Sequence, residues 1–231
     1  MKQNANEAII SLQDINKVFQ SGSIRFTALK GINVDFYPGE FVSVVGRSGS
    51  GKSTLANMIT GIDHPTTGRV LINGTAIHSL NESKMSVWRG RNLGIIFQFF
   101  QLMPTLTLLE NVLLPMDLTE DLSLPQREQR AMELLEMVEL TEFCDQYPDQ
   151  IAGGQQQSAA IARALANDPP ILIADEPTGN LDTRTAETIF GIFLNLVKQG
   201  KTIIMVTHDN TLAQRTDRVL RISDGCLLDQ A

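Results

Sequence analysis

A glycine-rich turn between an apolar strand and a helix constrains the fold more than any other feature of the sequence. Residues 41–45 (FVSVV) are apolar enough for a buried strand, and a helix is predicted over 52–60. Between them, residues 46–54 read GRSGSGKST and match the pattern G-x-x-x-x-G-K-[ST] in full. Glycines permit backbone conformations closed to other residues, so successive N–H groups can turn inward around phosphate oxygens. The turn therefore predicts a phosphate-binding site.

Two side chains of this turn have separate predicted roles. Lys52 would bridge the β- and γ-phosphates of a nucleotide, and the hydroxyl of Ser53 would coordinate Mg²⁺. The N-terminus of the following helix adds partial positive charge. The alternative is an ordinary Gly/Ser loop between a strand and a helix. The predicted nucleotide-binding residues of the turn are Gly46, Arg47, Ser48, Gly49, Ser50, Gly51, Lys52, Ser53 and Thr54.

A pair of acidic residues, Asp175 and Glu176, follows a second apolar strand, predicted over 171–174. Ligands of open parallel sheets bind at the carboxyl ends of the strands, where these side chains would emerge. Asp175 is suited to hold hydrated Mg²⁺, and Glu176 is suited to orient or activate a water that attacks the γ-phosphate. The alternative is a solvated pair favoured by the dipole of a helix N-terminus.

The distribution of apolar segments predicts an α/β fold. Near-alternating apolar residues in the first forty positions indicate a small antiparallel sheet. Apolar strands over 93–97, 171–174 and 202–206 are each flanked by helical segments. This arrangement indicates a parallel sheet that is covered on both faces.

A helical insertion is predicted within this α/β core. The three segments with helical signals are 107–116, 125–138 and 155–167. The phosphate-binding turn followed by a parallel sheet is similar to P-loop NTPases, and this resemblance implies the fold class: an α/β P-loop NTPase (RecA-like) parallel-sheet core with an N-terminal antiparallel β subdomain and an inserted α-helical subdomain. Residues 1–231 would form one domain, with the α/β core over about 1–98 and 166–231 and the helical subdomain over about 99–165.

Composition narrows the possible classes of protein further. The chain has 231 residues, and acidic residues outnumber basic ones 26 to 19, giving a net charge of −7. Because nonspecific affinity for nucleic acids comes from clustered Lys and Arg, this balance argues against a nucleic-acid partner. The apolar runs fall short of the ~20 residues that a membrane-spanning helix needs, and residues 1–10 lack a signal-peptide pattern. A role at a membrane would therefore require a membrane partner, and a cytoplasmic location is expected.

Four further segments accompany the phosphate-binding turn and the acidic pair. Gln98 follows one predicted strand, and the segment 151–155 (IAGGQ) precedes a helix. The segment 179–182 (GNLD) follows the acidic pair, and His208 follows another predicted strand. Together these segments resemble the nucleotide-binding subunit of ATP-binding cassette (ABC) transporters over essentially the whole chain.

Within this family the chain looks most like the ATPases of the lipoprotein-releasing and macrolide-exporter group. The segments that carry this closer resemblance are 102–112, 175–182 and 206–210.

The resemblance implies roles for three single residues. Phe19 would occupy the aromatic position that stacks on adenine, with a buried strand aromatic as the alternative. Gln98 would contact Mg²⁺ and the attacking water and would relay the nucleotide state to the helical subdomain. His208 would hydrogen-bond the γ-phosphate and support Glu176. The alternatives are an exposed glutamine at a strand end and a plain structural histidine.

The resemblance also implies a second phosphate half-site at Gly153, Gly154 and Gln155. Two glycines at a helix start expose N–H groups to an anion. In the family this half-site acts on the nucleotide held by the other subunit, so two ATP molecules lie between two subunits arranged head to tail. Asp182 would sit at that interface, would cap the helix predicted over 183–199, or both. The implied partner is a second copy of the chain or a homologous ABC ATPase.

Ala152 departs from the family pattern. The family usually has Ser just before Gly-Gly-Gln, so a hydroxyl that would donate to the γ-phosphate is absent here. Position 158, usually basic in the family, is Ser. Because the Gly-Gly backbone remains, the half-site is expected to be weakened rather than abolished.

The function implied by the resemblance is ATP hydrolysis, with ATP and Mg²⁺ as cofactors, that powers a separate membrane permease. The permease would belong to an exporter or to a lipoprotein, antibiotic or peptide extrusion system, and it would hold the subunit at the inner face of the cell membrane. Apolar residues after Gln98 would form a groove for a permease helix or part of the subdomain core: Phe99, Phe100, Leu102 and Met103.

Two alternatives to this function remain open from the sequence. An ABC ATPase could drive a signalling or cell-wall-remodelling complex without transporting anything. A small-molecule P-loop kinase is a second alternative, but it leaves Gly153, Gly154, Gln155 and His208 unexplained.

Overall fold

The computed structural model describes residues 7–119 and 121–228. Its strands are β1 (Ile10–Ser21), β2 (Ile24–Phe36), β3 (Phe41–Val45), β4 (Thr67–Ile72), β5 (Thr75–Ala76), β6 (Leu93–Ile96), β7 (Ile171–Asp175), β8 (Thr202–Thr207), β9 (Arg218–Ser223) and β10 (Cys226–Leu228). Its α-helices are α1 (Lys52–Thr60), α2 (Glu82–Asn92), α3 (Leu108–Thr119), α4 (Leu124–Met137), α5 (Gly153–Ala164), α6 (Thr183–Lys198) and α7 (Asn210–Ala213).

The central sheet has six strands in the order β10-β9-β3-β8-β7-β6. All neighbouring strands from β9 to β6 run parallel, and β10 joins β9 as an antiparallel edge strand. Strands β3 and β8 are buried along their whole length, as expected for strands covered on both faces. The parallel sheet predicted from the apolar runs is therefore confirmed.

The second sheet is antiparallel, with the strand order β2-β1-β4-β5. Its inner face packs on the parallel sheet, because Leu12 and Ile32 share a core cluster with Val42 and Leu55. The first strand is irregular between Leu12 and Ile15, where Asp14 adopts a φ of 50°. The antiparallel subdomain predicted for the first forty residues is confirmed, and β4 and β5 extend it beyond that range.

Helices α3, α4 and α5 pack against one another and against the other face of the parallel sheet. Leu108, Leu135 and Ile161 belong to one core cluster with Phe41 and Phe190. Of the residues described between 99 and 165, none lies in a β-strand. The division of the chain at about 98 and 166 into core and helical subdomain stays a prediction.

A buried amide holds the loop that leads into α3. The Oδ1 atom of Asn111 accepts a hydrogen bond from the N–H of Met103 at 2.7 Å, and its Nδ2 donates to the carbonyls of Met103, Leu106 and Thr107. Asn111 is fully buried, so these four bonds replace the water contacts that its amide loses. They fix the path of the chain between Met103 and Thr107.

Several elements differ from the sequence prediction. Helix α2 was not predicted, since Met85 is its one fully buried residue and leaves no apolar periodicity to detect. Helix α5 begins at Gly153 and ends at Ala164, a little earlier than the predicted 155–167. Strands β9 and β10 were also not predicted. Among the residues that the structure describes, no helix is long and apolar enough to cross a membrane.

Candidate phosphate site

A cavity of about 440 Å³ opens where β3 leads into α1, beside the residues that follow β6, β7 and β8. It brings together side chains that are distant in sequence, which is typical of ligand sites at the carboxyl edge of a parallel sheet. The residues that line it are Phe26, Ala28, Ser48, Gly49, Gly51, Lys52, Ser53, Thr54, Gln98, Glu176 and His208.

The turn between β3 and α1 requires glycine at two positions. Gly51 has a φ of 108°, and a Cβ there would lie 2.7 Å from the carbonyl oxygen of Ala28. A Cβ on Gly46 would lie 2.3 Å from the carbonyl oxygen of Ile222. Both distances are too short for a side chain, so the spacing of glycines in the sequence reflects close backbone contacts. Helix α1 then begins at Lys52, with its N-terminus at the cavity.

Lys52 places a buried positive charge in this turn. Its side chain is largely buried, and Nζ donates to the carbonyls of Gly46 at 2.9 Å and Arg47 at 3.2 Å. Within the described part of the chain, Lys52 forms no ion pair with a carboxylate. A buried ammonium bonded to neutral carbonyls alone favours an added anion, and phosphate oxygens would supply one.

Asp175, the last residue of β7, presents a buried carboxylate next to the cavity. Its Oδ1 atom has no hydrogen-bond partner among the described residues. Burial raises the pKa of this carboxyl, and the nearby charge of Glu176 raises it further, whereas the hydroxyl of Ser53 and the charge of Lys52 lower it. A buried carboxylate oxygen without a partner, beside a serine hydroxyl, fits the oxygen ligands that Mg²⁺ requires.

Glu176 and His208 form a pair at the cavity wall. Glu176 has a φ of 50°, and its N–H donates to the carbonyl of Val206 in β8 at 2.9 Å. Its Oε2 atom accepts from the backbone N–H of His208 at 3.3 Å and lies 2.8 Å from the imidazole Nδ1. A proton on Nδ1 makes this contact a hydrogen bond and leaves Nε2 available to another group.

Gln98 approaches the same cavity from a third strand. It lies two residues beyond the end of β6 and lines the cavity with Lys52 and Glu176. Its Nε2 atom is 3.6 Å from the position that a Cβ on Gly179 would occupy. The segment that follows Glu176 is therefore packed closely against Gln98.

Other predicted residues of the turn lie at its outer side. Gly46 and Arg47 line a neighbouring cavity of about 430 Å³, which shares His208 with the first. The hydroxyl of Ser50 is buried and has no partner among the described residues. Gly46, Arg47 and Ser50 are therefore part of the turn but do not line the first cavity.

Phe19 does not line the cavity, whereas its cross-strand neighbour Phe26 does. Phe19 is 44% exposed, which excludes the buried-aromatic alternative, and its ring lies 4.9 Å from Nζ of Lys17. Phe26 and Ala28 also line the cavity and were not predicted from the sequence. The strand pairing that brings Phe26 opposite Phe19 was the available signal. The stacking role of Phe19 stays a prediction.

The segment 152–155 and Asp182 lie together, away from the lining of the cavity. Ala152 precedes α5, and its N–H donates to Oε1 of Gln155 at 2.9 Å. A Cβ on Gly154 would lie 2.6 Å from Cγ2 of Thr185, so α5 and α6 meet closely at their N-termini.

Asp182 caps α6. Its Oδ1 atom accepts from the N–H groups of Arg184 at 3.0 Å and Thr185 at 3.1 Å, and Oδ2 accepts from the hydroxyl of Thr185 at 2.6 Å. The side-chain hydrogen bond from Thr185, followed by the backbone one, lowers the pKa of this carboxyl. The capping role predicted for Asp182 is present, and its carboxylate remains exposed to solvent.

The apolar residues after Gln98 divide into two groups. Phe99 is 73% exposed and Met103 is 45% exposed, so both face outward. Leu102 packs against the core cluster of the helices, as its core alternative predicted. Phe100 is half-buried and lies close to the start of α5, 3.7 Å from the position of a Cβ on Gly153.

Comparison with known proteins places this site in a family. The sequence model described as "ABC transporter" matches residues 29–179. An uncharacterized ABC transporter ATP-binding protein of Mycobacterium tuberculosis is 45% identical over 225 residues, covering 96% of this chain and 90% of that protein. A macrolide export ATP-binding/permease protein of Brucella melitensis is 41% identical over 97% of this chain, but the match spans 34% of that longer protein.

A solved structure agrees with these relatives. The ATP-binding cassette MJ0796, solved as a dimer in a post-hydrolysis state bound to ADP and phosphate, superposes with a TM-score of 0.91. The two chains are 41% identical, and the match covers 96% of this chain and 97% of that one. The sequence relative with the same designation is from Methanocaldococcus jannaschii. The chain therefore belongs to the ABC transporter family, in which it is an ATP-binding subunit and an ATPase.

Proposed function

We propose that the chain hydrolyses ATP with Mg²⁺ at the described cavity, acts as a pair of subunits, and powers a separate membrane permease of the exporter type. The observation that carries this proposal is the convergence of Lys52, Gln98, Glu176 and His208 on one cavity. These residues come from four separate segments of the sequence. Their meeting supplies an ammonium, an amide, a carboxylate and an imidazole to one bound triphosphate.

Each of these groups has a task that follows from its chemistry. The Lys52 ammonium and the N–H groups of the turn would bind the β- and γ-phosphates. Glu176 would accept a hydrogen bond from the attacking water and orient or deprotonate it, and His208, which contacts Glu176 through Nδ1, would hydrogen-bond the γ-phosphate. Gln98 would orient the same water. Mg²⁺, held by Ser53, Asp175 and Gln98, would neutralise phosphate charge when bound.

A second copy is proposed to complete the site. Ala152, Gly153 and Gly154 do not line the cavity of their own chain, although they present a helix N-terminus suited to phosphate. The solved relative is a dimer. We therefore assign this segment to the nucleotide held by a second copy or by a homologous ABC ATPase. Asp182 lies beside the segment and would share the interface.

The permease is proposed to dock beside Gln98. The relative from Brucella melitensis combines ATP-binding and permease parts in one protein, and this chain matches about a third of it. Phe99 and Met103 expose apolar surface next to a residue of the phosphate site. A permease segment seated there would sense Gln98 directly. Through that permease the subunit would lie at the inner face of the cell membrane.

Phosphate release from ATP tests the proposed reaction. We expect the purified chain to release phosphate from ATP without any acceptor molecule. This release should stop when EDTA removes Mg²⁺. A small-molecule kinase would need an acceptor and would show little release without it. Acceptor-dependent turnover, or full turnover in EDTA, would contradict the proposal.

A further inference from the structure

Arg163, in the last turn of α5, binds the loop that follows Gln98. Its Nη2 atom donates to the carbonyl of Phe100 at 2.8 Å, and Nη1 donates to the carbonyl of Gln101 at 2.5 Å. The guanidinium thus spans two consecutive carbonyls with two parallel hydrogen bonds, a geometry that no other cationic side chain reproduces. The path of the chain three residues after Gln98 is set by this contact.

The loop that Arg163 binds is strained. Phe100 has a φ of 29° and Gln101 a φ of 52°, and neither residue is glycine. Two consecutive non-glycine residues with positive φ persist only where surrounding contacts hold them. The two bonds from Arg163 are the side-chain contacts that engage both carbonyls of this turn.

The guanidinium of Arg163 interacts with these two carbonyls rather than with a carboxylate of the described residues. Burial lowers the pKa of its guanidinium. No ion pair in the described chain includes Arg163, so the carbonyls of Phe100 and Gln101 are what compensates its charge. The guanidinium is half-buried, and displacement of the turn would remove the two carbonyls that accept its hydrogen bonds.

The same helix contacts the turn a second time, at its other end. Helix α5 begins at Gly153, and the ring of Phe100 lies 3.7 Å from the position of a Cβ there. The turn is therefore hydrogen-bonded near one end of α5 and lies close to the other. Gln98, two residues before the turn, lines the phosphate cavity. Gln98 is thus two residues along the chain from a turn that α5 contacts.

We propose that Arg163 is a positioning residue that couples Gln98 at the phosphate cavity to α5. The proposal rests on the proposed function, in which the start of α5 acts on the nucleotide of a second copy. Through Arg163, a change at the phosphate cavity of one copy alters the position of its α5. The start of that helix is the half-site for the nucleotide of the second copy. Without it the turn relaxes, Gln98 loses its defined position, and the chemical step slows while ATP still binds.

The test compares Arg163→Ala and Arg163→Lys with Arg130→Ala as a matched control. Arg130 also donates to a carbonyl near the end of α5, that of Leu165 at 3.5 Å, but it does not touch the turn. Three quantities are measured on the full chain: kcat for ATP, the Kd for ATP, and the rate of chymotrypsin cleavage after Phe99 and Phe100, identified by mass spectrometry.

We expect Arg163→Ala to lower kcat about tenfold, equivalent to about 1.4 kcal/mol, with the Kd for ATP changed less than about twofold. Cleavage after Phe99 and Phe100 should rise by about tenfold or more, since local opening of the turn exposes the peptide bonds. Arg163→Lys should give intermediate values, because an ammonium cannot span both carbonyls. Arg130→Ala should match the natural chain in all three.

Two results for Arg163→Ala would overturn the proposal. The first is wild-type values for both kcat and the rate of cleavage at the turn. The second is a joint fall in kcat and ATP affinity, which would indicate a general loss of folding. If Arg163→Ala does not fold, the Lys variant decides, and natural values for it overturn the coupling. The chymotrypsin cleavage rate and the Kd for ATP can both be measured without ATP hydrolysis. These two quantities therefore still test the role of Arg163 if the chain binds ATP but does not hydrolyse it.

Discussion

The Nδ1 atom of His208 lies 2.8 Å from Oε2 of Glu176, although the two residues are 32 positions apart. Each directly follows a strand of the central sheet, and β7 and β8 are neighbours in that sheet. Glu176 is largely buried, whereas His208 is 65% exposed in its side chain. The carboxylate is thereby oriented from one side by an imidazole that itself reaches the cavity.

Glu176→Gln is expected to abolish hydrolysis while ATP binding persists. The amide is nearly isosteric with the carboxylate but cannot accept a proton from water, so turnover should fall by about 10²–10⁴-fold. The uncleaved nucleotide should then hold two copies together. Light scattering with saturating MgATP measures this. A variant that binds nucleotide but stays monomeric would count against the proposed pair of subunits.

Lys52→Ala should greatly lower the affinity for the phosphates of ATP or the rate of ATP hydrolysis. The ammonium is buried in the turn and donates to the carbonyls of Gly46 and Arg47, which holds its charge at the lining of the phosphate cavity. We expect kcat/KM for ATP to fall by about a hundredfold or more. Steady-state phosphate release checks this, with Lys84→Ala on the exposed surface of α2 as a control. Natural turnover of Lys52→Ala in a clean preparation would refute the phosphate-site assignment.

Ala152→Ser should raise turnover. A hydrogen bond to a charged group contributes about 1.5–3 kcal/mol, equivalent to roughly tenfold to a hundredfold in rate if it acts in the transition state. The Ala152 position precedes α5 and offers no side-chain donor. The measurement is the ATP turnover of the wild-type chain and of Ala152→Ser, each in the presence of the permease. An unchanged or lower rate in the Ser form would mean that neighbouring groups already replace the hydroxyl or that the partner ATPase supplies it.

Asp175→Asn should stabilise the chain at neutral pH in the absence of Mg²⁺. Burial raises the pKa of Asp175 in the folded state, so the folded chain binds this proton more tightly than the unfolded chain does. The free energy of unfolding therefore falls as pH rises from the ordinary carboxyl pKa through the raised one, and the penalty is complete above it. The neutral amide avoids that penalty.

The measurement is the Tm of both forms in EDTA at neutral and at acidic pH. We expect a higher Tm for Asp175→Asn at neutral pH and a smaller difference as the carboxyl becomes protonated. Added MgATP should stabilise the natural chain more than the variant, because the variant lacks a charged ligand for Mg²⁺. A lower Tm for Asp175→Asn in EDTA at neutral pH would show that attraction to Lys52 outweighs burial.

Phe99→Ser should leave basal ATP hydrolysis unchanged and remove its stimulation by the permease. Phe99 is 73% exposed, so its loss creates no cavity in the core. Leu118→Ser is the matched control, since Leu118 is 79% exposed on α3 and lies outside the loop after Gln98. Equal stimulation of the Phe99 variant and the natural chain would place the permease contact elsewhere.

The phosphate-binding turn could be predicted from the sequence because its pattern lies within nine consecutive residues. Gly51 adopts a φ of 108°, and Lys52 follows at the start of a helix, so the spacing of these residues indicates the turn even though the contacts of Gly46 and Gly51 with Ile222 and Ala28 are distant in sequence. The buried strands β3, β7 and β8 could be predicted for a similar reason. Strands covered on both faces consist of continuous apolar residues, and such runs are visible in a sequence.

Tertiary structure alone decided the contacts between segments. Met85 is the one buried residue of α2, so no apolar period indicated that helix. Phe26 rather than Phe19 lines the cavity because of how the β1–β2 hairpin sits over the turn, and the strand pairing that places the two rings opposite each other does not specify which of them meets a neighbour. The bonds from Arg163 to Phe100 and Gln101 join residues more than sixty positions apart. Such contacts follow from the packing of α5 against the loop after Gln98. Local propensity does not encode them, since the partners lie in separate segments of the sequence and meet only when those segments pack together.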